Sequence, residues 1–105
     1  MSNMMGKSIL QQYINLANEG TKETIGEIMG HLNIGMTLPE SKFIDIALVH
    51  IESGEGLRTM EHYLFHGTQT QRNYCTLYFA RRGEYLIIRK AYDEGLIDAK
   101  QAFSR

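Results

Sequence analysis

Cysteine, proline and long apolar runs are the scarce features of this chain. Its 105 residues include one cysteine, Cys75, and one proline, Pro39. A single cysteine cannot close an intrachain disulfide, so a reducing, cytoplasmic setting is the simplest expectation. One proline and no extended polar tract leave little room for disorder. No stretch approaches the length of a membrane span, and the opening MSNMMGKSIL has no apolar run long enough for a signal peptide, so neither membrane contact nor a leader is expected. No segment alternates β-branched with polar residues, so nothing competes with helix.

What is present is helical patterning punctuated by glycine. An apolar content of 43% and a charged content of 22% are ordinary for a folded domain, and the length fits one domain, residues 1–105, with a modest core. Gly20, Gly54, Gly67, Gly83 and Gly95 each follow a stretch with helical apolar spacing, where a left-handed C-terminal cap favours glycine. Thr37 with Glu40, Thr68 with Gln71 and Asp98 with Gln101 have capping-box spacing, and Pro39 falls in a first turn, where its missing N–H costs little. These signals predict helices near 5–19, 21–33, 38–53, 56–66, 69–82, 84–94 and 97–104. The expected class is all-α, about seven short helices arranged as stacked helical hairpins or as a compact bundle.

A turn of 100° per residue assigns the faces. The first helix gathers Ile9, Leu10, Tyr13, Ile14, Leu16 and Ala17; the second, Ile25, Ile28, Met29 and Leu32. Gly26 and Gly30 lie beside that second stripe. Each costs roughly 1 kcal/mol against alanine inside a helix, which close contact with a neighbouring helix would offset. The third, SKFIDIALVHIES, is apolar around most of its circumference and is expected to be the most buried, with His50 on its apolar side. The fourth turns Leu57, Met60, Tyr63 and Leu64 inward, the fifth Tyr74, Cys75, Leu77, Tyr78 and Phe79, and the sixth Tyr85, Ile88, Ala91 and Tyr92.

The stretch LYFARRGEYLIIRKAYDEG, residues 77–95, reads as two apolar helices joined at Gly83. NEGTKE and ESGEGL look like similar joins, and Gly20, Gly54 and Gly83 recur at a period of about 30 residues, in the range of α-solenoid repeats. Phe79, Gly83, Tyr85 and Tyr92 resemble the aromatic–glycine–aromatic–aromatic spacing of tetratricopeptide repeats. QRNYCTLYFARRGE, with its early arginine, resembles the first helix of a HEAT-type repeat. The resemblance is best over residues 71–95. Thr76, Ile88 and Gly95 depart from the tetratricopeptide pattern. It implies stacked helical hairpins and a binding role.

Catalytic and metal chemistry find little support in the residues. His62 and His66 are four apart, but EHYLFH is not H-E-x-x-H and no third ligand stands nearby, so no metal site is expected. Cys75 sits on a buried face, unlike an exposed thiolate nucleophile. GHLNIG and SGEGL lack the lysine and strand context of a phosphate loop, and no cofactor is expected. The chain is not expected to be an enzyme.

Charge and aromatics point to binding instead. Residues 1–57 hold three Lys/Arg against seven Asp/Glu, net −4; residues 58–105 hold eight against five, net +3. The basic half is rich in tyrosine and arginine, residue types enriched at interface hot spots. The expected partner is another protein or a peptide segment of one, met as adaptor, chaperone or regulatory subunit. Phe65, Arg81, Tyr85 and Arg89 are the candidate contacts, and a homo-oligomer is also compatible with two oppositely charged halves. The alternative is a nucleic-acid-binding regulator. Arg72, Arg81, Arg82, Arg89 and Lys90 would form its phosphate ridge, unless Arg89 and Lys90 pair with Asp93 and Glu94. A helix-turn-helix reading of TIGEIMGHLNI fails on the next helix, which offers one lysine and then apolar residues.

Overall fold

A computed structural model of the chain describes residues 5–103, and the side chains of residues 9–103. Among these residues it contains seven helices and no strand: α1 (Met5–Glu19), α2 (Lys22–Gly30), α3 (Leu38–Leu48), α4 (Gly54–His66), α5 (Gln69–Arg81), α6 (Tyr85–Asp93) and α7 (Ala99–Phe103). The protein is all-α. Ser104, the expected end of the last helix, lies outside the described residues. No helix is long and apolar enough to cross a membrane among the described residues.

Local chemistry sets most helix starts. The Thr68 hydroxyl accepts from the Gln71 N–H at 3.2 Å while the Gln71 side chain accepts from the Thr68 N–H at 2.9 Å. Asp98 and Gln101 exchange the same pair of bonds ahead of α7, at 2.7 and 2.9 Å. Thr21 forms a further box ahead of α2, with Thr24 as its partner. Each satisfies amides that have no acceptor inside the helix. Thr37 makes only half of its box: its hydroxyl accepts from the Glu40 N–H at 3.2 Å, but the Glu40 carboxylate is taken by Tyr13 of α1. Gly20, Gly83 and Gly95 end their helices with φ of 60°, 73° and 76°, a conformation that costs other L-residues about 1–2 kcal/mol. Gly54 and Gly67 do not adopt it; Gly54 instead opens α4.

The chain forms two compact units that divide within α4, between Thr59 and Met60. In the first, α1 packs on both α2 and α3. Its fully buried side chains include Ile25, Ile28, Met29, Ile44, Leu48 and Ile51. In the second, α5 packs on α6, and α7 contacts both. Met60, Leu64, Cys75 and Ile88 are its largest fully buried side chains besides Thr76, whose hydroxyl donates to the Arg72 carbonyl at 2.8 Å.

Two of the glycine joins meet one another in the first unit. The Ser53 hydroxyl donates to the Gly20 carbonyl at 2.7 Å and accepts from the Gly56 N–H at 3.0 Å. Glu55 accepts from the Lys22 N–H at 2.7 Å, capping the first turn of α2. A Cβ on Gly56 would lie 2.6 Å from the Ile51 methyl and 3.3 Å from the Gly20 carbonyl. NEGTKE and ESGEGL are therefore two halves of one junction.

Three expectations are corrected here. The third helix stops at Leu48, not residue 53, and is not the most buried: Leu38, Ile46 and Val49 are exposed. The His50 and Ile51 amides bond three residues back, to Ala47 and Leu48, so the chain tightens and leaves the α pattern. His50 consequently faces solvent instead of the core. Gly30 has open space where a Cβ would go, so it serves no close helix contact. Gly26, its companion, is half-buried.

Candidate protein-binding surface

The second unit presents the tyrosine- and arginine-rich segment around the turn between α5 and α6. Arg82 closes α5, and its Nε donates to Glu84 Oε2 at 2.9 Å while its guanidinium lies 5.5 Å from the Tyr78 ring centroid. Gly83 turns the chain, and α6 begins at once. Ile88 and Ala91 fix the buried side of α6. Tyr85 and Leu86 in its first turn are left 63% and 89% exposed. On the same helix Arg89 Nε donates to Asp93 Oδ1 at 3.1 Å, and its guanidinium lies 5.9 Å from the ring of Phe103 in α7. Phe103 stacks edge-on against Tyr92, centroids 4.9 Å apart, and is itself exposed.

Tyr85 is exposed, which corrects its assignment to the inward stripe and keeps it as a contact candidate. Arg81 is the exposed last residue of α5, and Arg89 is exposed but ion-paired. Phe65 is half-buried, not freely exposed, with the Lys90 ammonium 5.5 Å from its ring centroid. Leu86 was not singled out, although the sequence reading left it off the inward stripe of Tyr85, Ile88, Ala91 and Tyr92. Its signal was a helical angle of about 200° from Ile88, the buried residue of the same helix.

The cations of the basic half are largely engaged within the chain. Arg72 is half-buried, and its Nη2 donates to the Phe65 carbonyl at 3.3 Å, near the C-terminus of α4. There a positive charge meets the negative end of the helix dipole. Arg82 and Arg89 hold carboxylates, and Lys90 lies over Phe65.

No family model, curated protein or solved structure matches the chain.

The other chemistry-bearing groups are the histidines of α4, Cys75 and a tyrosine–carboxylate cluster in the first unit. The His62 and His66 rings lie 5.0 Å apart on the exposed side of α4, and no group of three or more metal-ligating side chains exists among the described residues. Cys75 is fully buried, and burial pushes its thiol well above the usual range, away from thiolate chemistry. Native protein should therefore resist a thiol-specific reagent such as DTNB, and reactivity should appear only with unfolding in urea. Rapid native labelling would show that the site opens without global unfolding.

One cluster was invisible in the sequence. The Tyr13 hydroxyl donates to Glu40 Oε2 at 3.1 Å, and His31 Nδ1 lies 3.8 Å from the same oxygen. Burial, then the hydrogen bond and charge of Glu40, push the Tyr13 phenol up to about 12. A phenol held protonated is a tether between α1 and α3, not a nucleophile. Because its folded pKa is raised from 10.0, the contribution to stability is complete below pH 10 and is lost as pH rises through about 12. Tyr13→Phe should cost about 1 kcal/mol at pH 8, with a smaller wild-type–variant difference at pH 11, read from urea midpoints. A difference that grows with pH would contradict the tether.

Proposed function

We propose that the chain is a cytoplasmic protein-binding helical module, an adaptor or regulatory subunit, that engages a protein or peptide partner through the α5–α6 turn and α6. Exposed Tyr85 and Leu86 stand side by side in a first helical turn while the neighbouring cations are held by in-chain partners, and that observation carries the reading. Aromatic and aliphatic anchors supply affinity at protein interfaces. Arg81 and Arg89 would set orientation and association rate, and Phe65, under Lys90, would lie at the margin. The resemblance of residues 71–95 to helical-hairpin repeats supports the same role, since stacked hairpins offer surfaces for helices and extended peptides.

The nucleic-acid alternative is less well supported. Phosphate ridges need cations that are free to exchange counterions, and here Arg82 and Arg89 hold carboxylates. A groove-reading helix would present Arg, Asn or Gln, whereas the exposed residues of α3 include Leu38, Ile46 and Val49.

The test pairs affinity capture with heparin chromatography. Wild-type protein and the Tyr85→Ala/Leu86→Ala variant are used as baits in the source-cell extract, with captured proteins quantified. A specific partner should lose about thirtyfold in affinity with the variant, corresponding to roughly 2 kcal/mol at a hot spot. Strong heparin retention that falls with Arg81→Ala/Arg89→Ala, and is indifferent to Tyr85 and Leu86, would overturn the proposal in favour of nucleic acid.

A further inference from the structure

Two exposed histidines of α4 keep their ring nitrogens unengaged. Neither His62 nor His66 makes a hydrogen bond or an ion pair among the described residues. The interactions they do make are between rings: their own centroids lie 5.0 Å apart, and His62 stands edge-on to Tyr63 at 5.5 Å. Sequence spacing alone predicts no metal site here, for want of a third protein ligand. The ring geometry argues otherwise.

Residues four apart on a helix stand one above the other on a single face. A metal ion bound at about 2.0–2.1 Å by an imidazole nitrogen lies roughly 3.2 Å from the centroid of that ring. Two rings that meet at such an ion at an angle of roughly 90–110° have centroids about 4.5–5.2 Å apart. The observed 5.0 Å falls inside that interval, with the ring planes inclined at 35°. The pair thus has the spacing of two adjacent ligands, and rotation of exposed side chains is enough to turn both nitrogens to one point.

The local field is mixed. His66 is the last residue of α4, where carbonyls without helical partners and the negative end of the dipole favour a cation. Glu61 is the adjacent carboxylate. Two arginines oppose binding. Arg72 Nη2 donates to the Phe65 carbonyl at 3.3 Å. Arg58, one turn before His62 in sequence, folds its Nη1 to within 3.3 Å of where a Cβ on Gly54 would lie, toward the start of α4.

We propose that His62 and His66 form a bidentate site for a divalent late first-row transition ion, with water completing its coordination. Neutral imidazole suits zinc, nickel and copper, whereas magnesium and calcium prefer oxygen donors. Two protein ligands do not make a closed structural centre, which takes four. They do hold an ion by chelation: once one imidazole has bound, the helix presents the other at high effective concentration. The four-residue register exists only while α4 is helical, so the ion binds the folded chain in preference to the unfolded one and stabilises it. The site does not depend on the proposed α6 surface.

Isothermal titration calorimetry of the full chain with ZnCl2 and NiCl2, and with MgCl2 as control, tests it. Zinc and nickel should each bind at one ion per chain, and magnesium should give no heat. His62→Ala and His66→Ala should each weaken binding about a hundredfold, because either leaves a lone imidazole. His50→Ala, at an exposed histidine of the first unit, should leave the Kd unchanged. In parallel, nickel should raise the urea midpoint of wild type and of His50→Ala, but not of His62→Ala or His66→Ala. All three substitutions are at exposed positions, and circular dichroism without metal checks that the variants fold. No binding of either ion up to about 1 mM overturns the proposal. Binding that survives both His62→Ala and His66→Ala places the ion elsewhere and overturns the assignment. Binding with no shift of the wild-type midpoint, or at several ions per chain with the loss spread evenly over all three variants, is an adventitious ion only and also overturns it.

Discussion

Gly20→Ala is expected to destabilise the protein by about 2–4 kcal/mol, combining the left-handed conformation of an L-residue with overpacking against a neighbour. Gly20 has φ 60°, and a Cβ there would strike the Ser53 hydroxyl and lie 3.2 Å from Ser53 Cβ. The same methyl would displace the hydroxyl that donates to the Gly20 carbonyl and accepts from Gly56 N–H. Gly56→Ala should act in the same direction but by less, since its backbone is not left-handed and only the overpacking against the buried Ile51 methyl and Ser53 remains. Gly30→Ala is the control: a Cβ there meets nothing, and helix propensity favours alanine. Urea denaturation of the three variants checks the order. A Gly20→Ala midpoint equal to wild type would mean that the junction between the two glycine segments contributes nothing to stability.

Ile88→Ala is expected to cost about 2–5 kcal/mol by leaving a cavity beneath α6. Ile88 is 1% exposed, whereas Leu86, two residues earlier on the same helix, is 89% exposed. Two neighbouring aliphatic side chains should therefore report on different properties. Ile88→Ala should lower the denaturation midpoint and affect partner binding only as far as the unfolded fraction grows. Leu86→Ala should leave the midpoint within about 0.5 kcal/mol of wild type, as for surface substitutions generally, while weakening binding. Measuring midpoint and affinity on both variants separates the stability and recognition roles of α6. A Leu86→Ala variant as unstable as Ile88→Ala would place Leu86 in the core and remove it from the proposed surface.

The proposed surface was partly legible in sequence. Arg81, Tyr85 and Arg89 are exposed, and the tyrosine–arginine enrichment of the basic half drew attention to α6, which carries Tyr85 and Arg89. Helical spacing placed Ile88 inward and left Leu86 off the stripe, as found, but it does not say that an aliphatic off the stripe stays uncovered, so Leu86 and Phe103 were not singled out. Phe65 falls outside the inward stripe of Leu57, Met60, Tyr63 and Leu64, yet it is half-buried, with Lys90 of another helix over its ring. The ridge of five cations was equally ambiguous as a string. The Arg89–Asp93 pair follows from their i, i+4 spacing, but the Arg82–Glu84 pair and the contacts of Arg72 and Lys90 with Phe65 required coordinates for the partners.

By itself the sequence determined the all-α class, the number of helices and nearly every helix start. These depend on interactions within three or four residues. The Thr68–Gln71 and Asp98–Gln101 boxes and the left-handed glycines 20, 83 and 95 are complete within their own segments. Tertiary structure alone decided which glycines are crowded, where α3 stops and which of its faces is wet. Gly30 and Gly56 are indistinguishable by local propensity, yet only Gly56 lies against the Gly20 carbonyl, 36 residues away in the chain. The Tyr13–Glu40 bond spans 27 residues, and it takes from Thr37 the second half of its capping box. Spacing encodes what a residue can do to its own turn of helix. Which turn of another helix it meets depends on how the segments pack, a choice made by the summed burial of the unit and not by any one residue.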